Sequence, residues 1–383
     1  MKLLKALTLL LTLASFIAYA RLEVTIVKSE ADAFPIVIAP FEVIGDAEQG
    51  AMISNIIRDN LNRSGQFNAL SSKDVITNKI DFSYWKARKK DAIVFGKIEK
   101  VSSKVFNVYI YVYDIYTKKQ LYANKISVHN SGIRRISHRL SDRIYNVLLG
   151  QKGSFDTRLT YVSVTKDEKL GKVYQLEISD ADGHNAQIVV KSSHPILSPA
   201  WSPDQKKIAY VSFKNGRAEV FIRYPFMRVK SIKLPRFDGI ASAPSWHPNG
   251  QGLVLTISRG GNKDLYFYNL ESKKLIRLTK DIAIDTEANF SPDGKSIAFT
   301  SNRSGQVQVY IKDLTNGKIK RATFKGSYNA KPVFSPDGKT LALIHRVDKD
   351  YRVALLDIKT RDLTVMTQNK LDESPYFSPN GGM

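Results

Sequence analysis

The sequence predicts a small α+β domain followed by a six-bladed β-propeller whose last blade is largely missing. Three observations predict it. An aromatic residue followed by Ser-Pro-Asp-Gly, or a close variant, recurs five times in the second half of the 383-residue chain. The aromatic anchors are Trp201, Trp246, Phe290, Phe334 and Phe377, spaced 45, 44, 44 and 43 residues apart. A period of about 40–45 residues made of short strands is the signature of propeller blades. The first 150 residues lack the motif and mix helical with strand periodicity.

The motif explains its own geometry. In Ser291-Pro292-Asp293-Gly294, the proline presets φ for the second position of a type I turn, and glycine suits the fourth, where a positive φ is often needed. Two antiparallel strands should meet there. In the following run Ile297 and Phe299 face one way and Ala298 and Thr300 the other. A second hairpin, VQVYIKDL to NGKIKRAT, carries Asn316-Gly317 as a two-residue turn signal, which brings the count to four strands per period. The anchors should fill the space between neighbouring blades, where a large ring covers much apolar area.

Four blades, from residue 199 to about residue 368, are complete by this count. Ahead of them RLTYVSV, VYQLEIS and AQIVVKS supply three strands without an inner strand, and after Phe377 the chain stops at Met383 inside a hairpin. Ring closure would need roughly one more period. The expectation is a truncated chain, and an open ring beside two exposed strand edges.

Residues 1–20 read as a secretory signal. Lys2 and Lys5 precede the apolar run ALTLLLTLASFIA, and Ala18-Tyr19-Ala20 fits the small-x-small cleavage pattern. The run is short for a bilayer span, so the mature chain should begin near Arg21 or Leu22 and be soluble in the periplasm. There is no cysteine, which removes thiol catalysis, Fe–S clusters and Cys-based zinc sites. Residues 21–150 read as one α+β domain. FPIVIAPF is a buried strand, and residues 50–65 form a helix with Met52, Ile53, Ile56, Ile57 and Leu61 at helical spacing. DAIVFGKIEK, KVFNVYIYVYDI and QLYANKISV form a meander. Residues 133–150 form an amphipathic helix with Ile136, Leu140, Ile144 and Leu148 on one stripe, closed by Gly150. QKGSFDT, residues 151–157, links this domain to the propeller, residues 158–383.

The chain carries 58 basic and 36 acidic residues, a formal charge of +22, and without Lys2 and Lys5 the balance is 56 − 36 = +20. Such a field attracts polyanions. The bases are scattered and match no nucleic-acid motif, so a solvated basic surface is the reading and no nucleic-acid partner is expected. The enzyme classes fare poorly. There is no G-x-S-x-G elbow, no H-E-x-x-H and no phosphate-cradling glycine loop. DADGHN, residues 180–185, lacks the distal glutamate of a calcium loop and reads as a β-turn. No cofactor and no metal is called for. Two alternatives stand beside a protein-binding scaffold: polyanion binding by the basic surface, and hydrolysis by channel acids such as Glu287.

The order of these parts, together with EVTIVK from Glu23, PIVIAPF, SGQFNAL from Ser64, DAIVFGKI, SFDTRLTYVSV and SPAWSPD, resembles the TolB family over nearly the whole chain after the signal. The resemblance implies a periplasmic scaffold of the Tol–Pal system, which supports outer-membrane integrity and invagination during cell division. It implies binding of the lipoprotein Pal at the propeller mouth, hence peripheral association with the outer membrane, and binding of TolA by the mature N-terminal segment. In some relatives colicins exploit the propeller site. Carried over residue by residue, the TolA segment is Glu23, Val24, Thr25, Ile26, Val27 and Lys28. The Pal candidates are Thr286 and Glu287, which match the family's Thr-Glu step, and Asp372 and Glu373, which match its Asp-Glu step. Arg236 to Ala243 do not match the family loop, and His247 and Asn249 replace the Ser and Asp of the motif in the second copy.

Overall fold

The computed structural model describes residues 33–45, 49–77, 79–169 and 171–382. The expected signal peptide and the segment Glu23 to Lys28 lie outside the described residues.

The N-terminal domain is one sheet with two long helices on one face. Its elements are β1 (Phe34–Ile38), β2 (Glu42–Ile44), α1 (Gln49–Arg63), β3 (Phe67–Ser71), α2 (Phe82–Ala87), β4 (Ala92–Lys100), β5 (Val105–Asp114), β6 (Gln120–His129) and α3 (Ile133–Leu149). The strand order is β3-β1-β4-β5-β6, with β2 on β4. β1 pairs in parallel with β3 and β4, while β4, β5 and β6 form the expected antiparallel meander. The apolar stripes of both helices close over the sheet: Ile53, Ile57 and Leu61 of α1 and Ile136, Leu140 and Ile144 of α3 share a core with Ile36, Val94, Val108 and Ile110. Met52 departs from the expected stripe and is exposed, and the buried Asn60 takes a place on the inner face. Gly150 ends α3 in the left-handed conformation at φ +70°, as the terminal glycine predicts.

At Gly96 the backbone of this sheet meets its neighbours too closely for a side chain. A Cβ there would sit 2.1 Å from the Tyr109 carbonyl oxygen and 2.4 Å from the Phe41 ring. Both neighbours are fixed, one as backbone and one as a core side chain. Gly96→Ala is therefore expected to cost about 3 kcal/mol or more, read as a lower urea midpoint.

Five sheets follow. Residues 158–192 form a three-stranded sheet, and residues 196–233, 240–277, 285–321 and 329–365 each form a four-stranded antiparallel blade in chain order. The first strands of successive blades, Ile196–Trp201, Ile240–Trp246, Asp285–Phe290 and Asn329–Phe334, lie side by side around the channel. Among the described residues five blades are present where the period predicts six. Beyond the bridge of Leu371 to Tyr351, the stretch carrying Phe377 forms no strand. No second strand among the described residues pairs with it, as Ile208–Ser212 pairs with the first copy. Among the described residues no strand pairs with the free edge of Arg158–Asp167.

The anchors pack between blades. Trp246 shares a core with Ala209 and Val211 of the preceding blade, Phe290 with Val254 and Leu265, and Phe334 with Ala298 and Val309. Because blades cover both faces of each sheet, the alternation expected in residues 297–300 does not separate core from solvent: Ile297, Ala298, Phe299 and Thr300 are all buried.

The motif turn is a closed hydrogen-bond unit. The Ser291 hydroxyl donates to Asp293 Oδ1 at 2.6 Å, Asp293 Oδ1 accepts from the Lys295 N–H at 3.0 Å, and Gly294 sits at φ +70°. In the first copy Gln205 holds this left-handed position at φ +57° and is exposed. Gln205→Gly should raise stability by about 0.5–1 kcal/mol, seen as a higher thermal midpoint. The Asn316-Gly317 connection is longer than the two-residue turn expected. It spans residues 314–318, only Gly317 has a positive φ, and the Asp313 carboxylate caps the Thr315 N–H at 2.8 Å. A two-residue type I′ turn needs positive φ at both central positions.

Candidate functional site

Every inner strand carries one bulge, and the bulges build the channel mouth. The register slips between Leu197 and Ala200, Ser242 and Ser245, Thr286 and Asn289, and Ala330 and Val333. Inside each slip one non-glycine residue is left-handed: Ser198, Ala243, Glu287 and Lys331, at φ between +46° and +54°. Ser374 takes the same position, three residues before Phe377, at φ +56°. A left-handed non-glycine residue costs about 1–2 kcal/mol. Its recurrence at one blade position shows that the blades impose it. Hydroxyls of the preceding blade hold two of these bulges: Thr256 Oγ1 accepts the Glu287 N–H at 3.2 Å, and Thr300 Oγ1 accepts the Lys331 N–H at 2.9 Å. A bulge re-aims its side chain, and here it brings charged groups from separate blades together.

Glu287 is half-buried, and its carboxylate accepts the Thr300 hydroxyl at 3.1 Å. Burial holds its carboxyl above the usual range, against the pull of Lys331. Lys331 Nζ lies 3.8 Å from Glu373 Oε2, whose side chain is 67% exposed. The mouth therefore carries an acid–base–acid series, Glu287, Lys331, Glu373. Tyr328 stands beside it, edge-on to Tyr351 at 5.3 Å, with its hydroxyl pushed up by burial and by Glu287.

The other two expected site residues make hydrogen bonds within the fold. The Thr286 hydroxyl meets that of Thr256 at 3.2 Å. Asp372 accepts the Thr367 hydroxyl and, at 3.2 Å, the Asn369 side-chain amide. Sequence reasoning missed Lys331 and Tyr328. It also missed a collar six residues before each anchor: Pro195, Ile240, Ile284, Tyr328 and Leu371. Ile240, Ile284 and Leu371 are exposed, and the nearby Ile282 is 99% exposed. Aligning the copies on the anchors would have found all of them.

A second polar cluster joins the N-terminal domain to the propeller. Asn60 fixes it: Oδ1 accepts from Arg63 and the amide donates to Ser141 Oγ and His138 Nδ1, each at 2.9 Å. His138 Nδ1 is thus an acceptor, and neutral His138 carries its proton on Nε2, 3.6 Å from Asp182 Oδ2. Arg134 bonds Asp182 and lies 3.6 Å from Asp180 in the first blade hairpin. His138, Asp180 and Asp182 converge closely enough to ligate a cation. The Arg134 guanidinium already compensates both carboxylates and repels one, so the cluster reads as an ion-paired junction. The turn expected over residues 180–185 is present, as a hairpin connection closed by the Asp180 N–H to the His184 carbonyl at 2.9 Å.

Residues 22–121 match the family model described as the TolB amino-terminal domain, and residues 145–383 match that of the TolB beta propeller domain. The chain belongs to the TolB family. It is 68% identical over 377 residues to the Tol-Pal system protein TolB of Ruthia magnifica, covering 98% of this chain and 89% of that protein. The Tol-Pal system protein TolB of Nitrosococcus oceani is 41% identical over 370 residues, with 95% and 85% covered. The crystal structure of TolB from Acinetobacter baumannii superposes with a TM-score of 0.82 at 39% identity, covering 91% of this chain and 86% of that one. TolB is a non-enzymatic family, so channel-acid hydrolysis is set aside.

Proposed function

We propose that this TolB chain is a periplasmic scaffold of the Tol–Pal system. It binds Pal through the channel mouth and TolA through Glu23 to Lys28, and so supports outer-membrane integrity and invagination in cell division. One observation carries the reading. The blades bring together the Glu287–Lys331–Glu373 series, and the same blade position six residues before the anchors carries the exposed Ile240, Ile284 and Leu371. Fixed charges together with exposed apolar side chains suit a folded protein surface: the apolar groups exclude water and the charges set register. Pal-family capture tests it. The purified mature chain, immobilised, should retain purified Pal from solution at physiological salt, and deletion of residues 23–28 should abolish capture of TolA while sparing Pal. Retention of neither protein by the folded chain would overturn the proposal.

A further inference from the structure

The turn between the third and fourth strands of the first four-stranded blade differs from its three counterparts. In the later blades this connection is five residues long, 270–274, 314–318 and 358–362. It is capped by Asn269, Asp313 or Asp357, whose side-chain oxygens accept backbone N–H groups two residues on. In the first it runs for eight residues, 224–231, reading YPFMRVKS. Pro225 and Phe226 take the corner positions of a turn closed by the Met227 N–H to the Tyr224 carbonyl at 3.2 Å. Phe226, Met227, Val229 and Ile232 are 52%, 56%, 42% and 54% exposed. The loop is braced: Arg223 donates to the Val229 carbonyl, and Phe226 stacks near Trp201 at 6.3 Å, with the Arg158 guanidinium 4.6 Å from its ring centroid.

Charge completes the pattern. Residues 220–237 contain Arg223, Arg228, Lys230, Lys233 and Arg236 and no acidic residue. Lys233 and Arg236 pair with Glu219 at 3.5 and 3.7 Å, which leaves Arg228 and Lys230 as the cations of the tip itself. We infer that this turn is a wedge that seats the propeller on an anionic phospholipid surface, with Phe226 and Met227 entering the interface and Arg228 and Lys230 at headgroup level. The turn and the residue after it expose four apolar side chains, whereas a stable protein interface takes about 20–30 residues a side and a bilayer interface needs no matching groove. The three blades with polar, capped turns are internal controls: the fold does not require an apolar tip here.

The test is co-sedimentation of the full chain with vesicles of phosphatidylcholine alone or with about one-quarter phosphatidylglycerol, at low and physiological salt. The chain should partition onto the anionic vesicles at both salts and onto the neutral ones weakly. Phe226→Ser with Met227→Ser should lower partitioning about tenfold, with circular dichroism unchanged. Arg228→Glu with Lys230→Glu should do the same at low salt. No partitioning of the parent chain onto anionic vesicles would overturn the inference. So would a serine double variant that partitions like the parent, because the charge of the whole surface would then account for the attraction.

Discussion

Asp182→Ala is expected to lower the stability of the chain by about 2–3 kcal/mol, because it strips a largely buried cation of its nearer partner and leaves it only Asp180, 3.6 Å away. Arg134 is 18% exposed and Asp182 is 14% exposed, and the pair links α3 to the first blade hairpin. Burial alone pushes the Asp182 carboxyl up, but the attraction of its cationic neighbours outweighs it and holds the carboxyl below the usual range. At neutral pH His138 is uncharged, since burial depresses it, and Arg134 is the cation that matters. Urea denaturation should show the loss in full for Asp182→Ala and in part for Asp182→Asn, which keeps the volume and one hydrogen-bonding oxygen. The same junction carries a pH dependence. A histidine whose folded pKa lies below its unfolded value of about 6.5 contributes stability that is present above that value and lost as pH falls towards the folded one. Stability should therefore decline on acidification below about pH 6.5. The burial-depressed His345 contributes in the same direction, so His138→Asn should flatten part of this slope.

Much of this architecture is legible in the sequence, for a physical reason: the elements are set by local chemistry. The Ser-Pro-Asp-Gly turn closes on itself through Ser291, Asp293 and Gly294, and the long helices write their buried stripe at Ile136, Leu140 and Ile144. What the chain hides is long-range. Alternation fails in residues 297–300 because two other blades bury both faces, and the short α2 has no periodicity to reveal it. The junction pairs Arg134 with residues 46 and 48 positions later, and Asn60 with His138 78 positions later. The site was half legible. Glu287 and Glu373 stand in family-like steps, but Lys331 joins them only through a bulge whose left-handed residue is no glycine, and a propensity reading places no bulge there.

Glu287→Gln should weaken binding of Pal at least about tenfold while leaving the thermal midpoint unchanged or higher. The two directions follow from one fact. The half-buried carboxyl is held above the usual carboxylate range by burial, so its ionised form is the disfavoured one in the fold. A glutamate whose folded pKa is raised loses stability as pH climbs through its unfolded value of about 4.3, and at neutral pH the charge is a net cost that glutamine removes. A half-buried acid whose charge costs its own fold is a candidate for a binding role. Lys331→Met tests the coupling, because it takes away the base between Glu287 and Glu373. Alone it should weaken Pal binding, and with Glu287→Gln the two losses should fall short of their sum, as for groups acting in one network. Calorimetric titration at two salt concentrations separates this from attraction to the basic surface at large. A seated charge series keeps most of its affinity in salt, whereas polyanion-type binding falls steeply. Unchanged affinity in Glu287→Gln, or affinity that collapses with salt in the parent and both variants alike, would move the Pal contact away from this mouth.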